Sequence, residues 1–218
     1  MMKKIIRTKE QLRMYILKGY LTNANLKDYD YSLITDFSNL FSRIKGLKTI
    51  PNLDTSHVTN MDKMFYHCPD LKFVPKLDLR NTKSIEKMFY GCTNLNTIGG
   101  FSNCEVSSLK ETFGLCSNLT HIPFFNTDKV TSFNNTFVNC FNLLKLPSLN
   151  MNKAKDINWG VMNCSSLNLK DKILFNSCSL NDLFKRKVLS QMEQEELKQI
   201  LNKTSYAPDL TKLNKDID

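Results

Sequence analysis

"MFYHCPDLKFVPKLDLRNTKSIEKMFYGC" runs from Met64 to Cys92 and repeats itself: MFYHC ends at Cys68, and MFYGC ends at Cys92, twenty-four residues later. The interval continues through Cys116, Cys140 and Cys164. Three residues after each cysteine stands a leucine (Leu71, Leu95, Leu119, Leu143, Leu167), with Leu47 one period earlier. Further columns read Ile50, Val74, Ile98, Ile122, Leu146, then Leu53, Leu77, Phe101, Phe125, Leu149. Two more read Phe37, Met61, Ile85, Leu109, Phe133, Ile157 and Phe41, Phe65, Phe89, Phe113, Phe137, Val161. Six apolar columns across five units without an insertion exceed coincidence. Each unit carries apolar positions it cannot bury alone, so neighbouring units must share a core.

Pro51, Pro75, Pro123 and Pro147 form another column, in which Gly99 substitutes once. Proline has no N–H and a fixed φ, so it ends a short strand formed by the residues before it. In VTNMDKMFYHC the apolar Val58, Met61, Met64 and Phe65 recur at spacings of three and four, which predicts one or two turns of α- or 3₁₀-helix. The period lies in the range of leucine-rich repeats. The expected fold is therefore an α/β solenoid: a leucine-rich-repeat stack of about five to six 24-residue coils with short strands, short helices and helical caps at both ends.

The stretch LDTSHVTNMDKMFYHC (Leu53 to Cys68), followed in the same frame by LDLRNTKSIEKMFYGC, resembles the signature of the BspA-like leucine-rich-repeat proteins of bacteria. The resemblance covers roughly residues 28–168, beginning with a degenerate unit, DYSLITDFSNLFSRI, that has Ile44 in the cysteine position. It implies a protein-binding repeat domain, commonly at a cell surface.

Open ends of such a core need polar caps. Residues 1–27 are expected to form an N-terminal helical cap, 28–168 the repeats, and 169–218 a C-terminal helical cap and polar tail, one domain in all. Thr8 and Gln11 have capping-box spacing, and Leu12, Tyr15 and Ile16 share a face, so a helix is expected over 9–19. Helix starts at Ser179 and Ser190 predict helices near 180–188 and 191–203, burying Leu183, Phe184, Leu197, Ile200 and Leu201. The tail from Ser205 is polar and expected to fray.

Net charge is +9, spread as +4 over residues 1–44, +4 over 45–164 and +1 over 165–218. A dispersed excess favours acidic partners without the dense basic stripe of a nucleic-acid binder. No stretch reaches the roughly 20 apolar residues of a membrane span, and Ile5-Ile6 is too short for the apolar part of a secretion signal. The expected location is the cytoplasm. Abundant Asn and Lys point to an AT-rich genome, bacterial or phage.

Chemistry is weakly signalled. The closest cysteines are twelve apart, too far for zinc pairs, so no metal is expected, and no cofactor motif is present. The in-column cysteines read as small buried side chains, with Cys104 and Cys178 off-column and more exposed. His57, His67 and His121 stand in no nucleophile motif, and Asp54, Asp62 and Asp78 fit turn hydrogen bonds. No catalytic residue is assigned.

Binding is better signalled, by residues that break their own columns toward large apolar groups. Phe73 stands among Thr49, Thr97, His121 and Lys145; Phe124 among Asn52, Lys76, Gly100 and Ser148. Phe141 replaces Pro69, Thr93, Ser117 and Ser165, and Trp159 replaces Lys63, Lys87, Glu111 and Asn135. If the columns keep their orientation these rings point outward, although irregularity is expected to tuck two of the four inside. Phe73, Phe124, His121 and Lys145, with Phe141 and Trp159, are the expected partner-binding residues. The expectation is a non-catalytic module that blocks or scaffolds a protein, in one form a phage or mobile-element inhibitor of a host defence or CRISPR protein. Alternatives are a surface adhesin or virulence protein and a nucleic-acid binder.

Overall fold

The computed structural model describes residues 3–176. The chain divides into two compact units, Met1–Leu167 and Asn168–Asp218. In the first, β1 (Lys4–Ile5) pairs in parallel with β2 (Tyr29–Asp30), and α1 (Lys9–Leu17) lies between them in sequence. Two more parallel pairs join β3 (Phe73–Val74) to β5 (Thr97–Ile98) and β4 (Leu77–Asp78) to β6 (Phe101–Ser102). Of the second unit the described part is α2 (Leu169–Asn176), begun by Asn168, whose side-chain oxygen accepts from the Asp171 N–H at 3.0 Å.

The α/β solenoid expected from the repeat, with a strand and a short helix in every coil, is not what forms. Among the described residues there are two α-helices, α1 and α2, and one short 3₁₀ helix, Leu26–Asp28, none of them in a MFYxC stretch, and the strands are two residues long. The fold is low in helix and irregular, built mainly from turns. The reason lies in the stretch expected to be helical. Lys63 and His67 adopt left-handed φ values of 56° and 52°, which no α-helix accommodates. Amide groups there divide two ways. Met64, Tyr66 and Cys68 donate three residues back within the turn, while Met61, Lys63, Phe65 and His67 donate to carbonyls of the next unit. With half of its N–H groups committed outside, the segment cannot close an i→i−4 ladder.

What the 24-residue period sets is register between neighbours. Phe73 pairs with Thr97, Leu77 with Phe101, and single bridges join Asp36 to Asn60, Asn60 to Ser84, and Ser108 to Ser132. Phe41, Phe65, Phe89, Phe113 and Phe137 are buried and near-parallel, ring centroids 5.5–5.7 Å apart. That spacing is offset stacking, favourable beyond the burial of each ring. Ile157 and Leu149, last in their columns, are only half-buried.

α1 begins as its sequence implies: the Thr8 hydroxyl accepts from the Gln11 N–H at 3.1 Å, and Gln11 reaches back to the Arg7 N–H at 3.0 Å. Leu12 and Ile16 are buried, while Tyr15 is half-buried between Tyr20 and Tyr29. The helix stops two residues short of the expected end because Gly19 turns left-handed at φ 71°. Tyr20 N–H then reaches the Tyr15 carbonyl at 2.8 Å and Gly19 N–H the Ile16 carbonyl at 3.0 Å, closing a Schellman motif. The helices expected at 180–188 and 191–203, with their buried side chains and the polar tail, lie outside the described residues, as does Cys178. No helix among the described residues is long and apolar enough to cross a membrane.

Candidate functional site

The recurring cysteines are structural. Each thiol donates to the phenylalanine carbonyl of the preceding unit: Cys68 to Phe41, Cys92 to Phe65, Cys116 to Phe89, Cys140 to Phe113 and Cys164 to Phe137, at 2.8–3.1 Å. Burial raises the Cys68 thiol to about 11 and pushes Cys92, Cys116 and Cys140 higher still. Such thiols are poor nucleophiles. Cys104, expected to be more exposed, is also buried, and burial raises its pKa.

The carboxylates singled out are hydrogen-bonded locally. Asp54 accepts from the Ser56 N–H at 2.9 Å, which holds its carboxyl below the usual range. Asp78 accepts from the Arg80 side chain and N–H, with the same effect on its carboxyl. Asp62 accepts from the Glu86 N–H at 2.7 Å and the Ser84 hydroxyl at 2.5 Å. His57 packs against Tyr31 and Phe37, its Nε2 buried without a hydrogen-bond partner among the described residues, and His67 packs against Tyr66 and Tyr90. His121 is exposed, its Nδ1 3.0 Å from the Thr120 hydroxyl.

All four outlying aromatics are exposed, more than the two expected: Phe73 by 41%, Phe124 by 69%, Phe141 by 44% and Trp159 by 51%. The alternation across β3 and β5 explains Phe73. Val74 and Ile98 point inward and are buried, so Phe73 and its partner Thr97 must point outward. His121 and Lys145 occupy the same column and bridge each other in parallel, both exposed. Thr49, Phe73, Thr97, His121 and Lys145 thus form one exposed row, with Phe124 three residues beyond His121 and Phe141 four before Lys145.

Trp159 is not part of that row. It occupies the left-handed turn column of Asn39, Lys63, Lys87, Glu111 and Asn135, with φ 56°. Leu144, 47% exposed beside Lys145, was missed. It breaks a column of Lys48, Lys72, Asn96 and Thr120, and the outlier rule applied to that column finds it.

A family model described as "Mycoplasma protein of unknown function, DUF285" matches residues 11–121 and, overlapping, 72–173. The two matches together span about three-quarters of the 218 residues. No curated protein and no solved structure matches the chain.

Proposed function

We propose that this chain, which belongs to the DUF285 family, is a non-catalytic module that docks on a macromolecular partner, most simply a protein, and blocks or scaffolds it. The observation that carries the reading is the exposed row of Phe73, His121 and Lys145, flanked by Phe124, Phe141 and Leu144. Four large apolar side chains beside basic groups lose water on docking, and aromatic anchors with a charged rim are the usual composition of a protein interface. The finer resemblance to BspA-like proteins, carried by Leu53 to Cys68, agrees with partner binding and belongs to the same proposal. The local hydrogen bonds of Asp54, Asp62 and Asp78 support a non-catalytic role.

The test is a pull-down from the native host with the tagged chain and with Phe73→Ala/Phe124→Ala. The wild type should retain a partner that the double variant loses, with thermal midpoints within about 2 °C of each other, since exposed rings contribute little to stability. Equal capture by both chains sinks the surface assignment. So does a midpoint drop large enough to show that the rings are core.

A further inference from the structure

A second site shares no residue with that row. A concavity of ≈ 420 Å³ is lined by Arg13, Ser42, Arg43, Lys63, Tyr66 and Lys87 among others, four cations and no carboxylate. The cations arrive from separate segments by the logic of the fold. Arg13 comes from α1, Arg43 from the turn after Phe41, and Lys63 and Lys87 from one turn column, a period apart at the same φ of 56°. Arg43 lies over the Tyr66 ring, 5.8 Å from its centroid, and the N–H of Arg43 donates to the Tyr66 carbonyl at 2.7 Å. Tyr66 is stacked in turn on Tyr90, centroids 5.7 Å apart. The floor of the concavity is therefore held in place by packing.

Charge decides what fits. Lys87 shares its ammonium with Glu111 at 3.2 Å. Arg13, Arg43 and Lys63 form no ion pair among the described residues. Three uncompensated cations converging on one concavity repel one another, and an anion that enters relieves the repulsion. A carboxylate brings one charge and leaves two cations unmatched. A phosphate monoester brings nearly two charges and three acceptor oxygens, suited to the forked donors of arginine and the point charge of lysine. We propose that this concavity is a binding site for a dianionic phosphate group.

Lys63 permits a test that folding cannot confound. Asn39 and Asn135 occupy the same column with φ 57° and 51°, so Lys63→Asn puts a residue the turn already accepts where the charge was. The full-length chain is titrated calorimetrically with inorganic phosphate at fixed ionic strength, and with acetate at equal concentration. Phosphate should bind saturably at one site and acetate should not. Lys63→Asn and Arg43→Gln should each weaken phosphate on the order of five- to tenfold, with the thermal midpoint of Lys63→Asn not lowered. Lys153→Gln, which removes an exposed charge elsewhere, should change nothing. Phosphoserine and adenosine monophosphate identify the carrier: whichever exceeds inorganic phosphate supplies the group, and equal affinities mean recognition of phosphate alone. Unsaturable binding, acetate binding as well as phosphate, or an equal loss in Lys153→Gln overturns the site.

Discussion

At the scale of single residues, the phenylalanine carbonyls explain why cysteine recurs. The Phe89 carbonyl accepts twice, from the Cys92 N–H of its own turn at 3.0 Å and from the Cys116 thiol of the next unit at 3.1 Å. Phe65, Phe113 and Phe137 repeat the arrangement. A side chain there must be small enough for the core and able to donate a weak hydrogen bond without the desolvation cost of a charge, which describes a thiol. Ile44 fits the same account. One period before Phe41 lies Leu17, in α1, so the opening unit is preceded by no phenylalanine carbonyl in that column. Replacing Cys116 by Ala removes both the donor and a buried sulfur. Its cost should be about 1–2 kcal/mol, read as a lower urea midpoint with unchanged slope at pH 7. A cost near zero would mean that the thiol only fills space and that the surroundings close over its loss.

At the scale of elements, Gly99 sets how closely β3 and β5 approach. Its N–H donates to the Val74 carbonyl at 2.8 Å, extending the pairing of Phe73–Val74 with Thr97–Ile98 by one bond. A Cβ at residue 99 would lie 2.7 Å from the Lys76 nitrogen and 3.0 Å from the Pro75 carbonyl carbon, both backbone atoms. Gly99→Ala should therefore cost about 1–3 kcal/mol and speed exchange of the residue-99 amide, measured by urea denaturation and hydrogen exchange. Protection unchanged from wild type would show that the backbone yields. The sequence shows that glycine replaces proline in this column, but not that a neighbouring main chain passes within reach. The missing helices have a similar origin. Apolar residues three and four apart suit a helix and a train of turns alike, and φ at Lys63 and His67 separates them. A signal was present in the column mates, because Asn39, Asn135, Gly91, Asn139 and Asn163 are residue types that tolerate the left-handed region. Column outliers served better for the surface: Phe73, Phe124 and Phe141 are exposed because burial of their columns' neighbours fixes which way each faces. The basic concavity was not legible, since Arg13, Arg43, Lys63 and Lys87 meet only through the fold.

At the scale of the whole molecule, four thiols buried at one-period intervals, Cys68, Cys92, Cys116 and Cys140, make the core of the first unit a collective sensor of alkaline pH. A protonated thiol is neutral and burial favours it, so the folded chain holds these protons to higher pH than the unfolded chain, whose thiols titrate near the ordinary value of 9.0. Above that value the unfolded state binds fewer protons, and stability falls as pH rises. The contribution of Cys68 is fully present below 9.0 and lost by about 11. Cys92, Cys116 and Cys140 are pushed further up, the charge of each neighbouring thiolate adding to burial for Cys116, so the decline continues through that window. Each such thiol steepens the decline by up to about 1.4 kcal/mol per pH unit. Tyrosines and lysines also titrate there, and a paired comparison removes them. Urea denaturation of the wild type and Cys116→Ala from pH 8 to 10.5 should show curves that converge. The wild type's advantage at pH 8 should shrink by about 1 kcal/mol per unit above pH 9 as the variant, lacking that thiol, declines less steeply. Parallel curves would mean that Cys116 ionises equally in both states, which is incompatible with a thiol sealed between Cys92 and Cys140 and bonded to the Phe89 carbonyl.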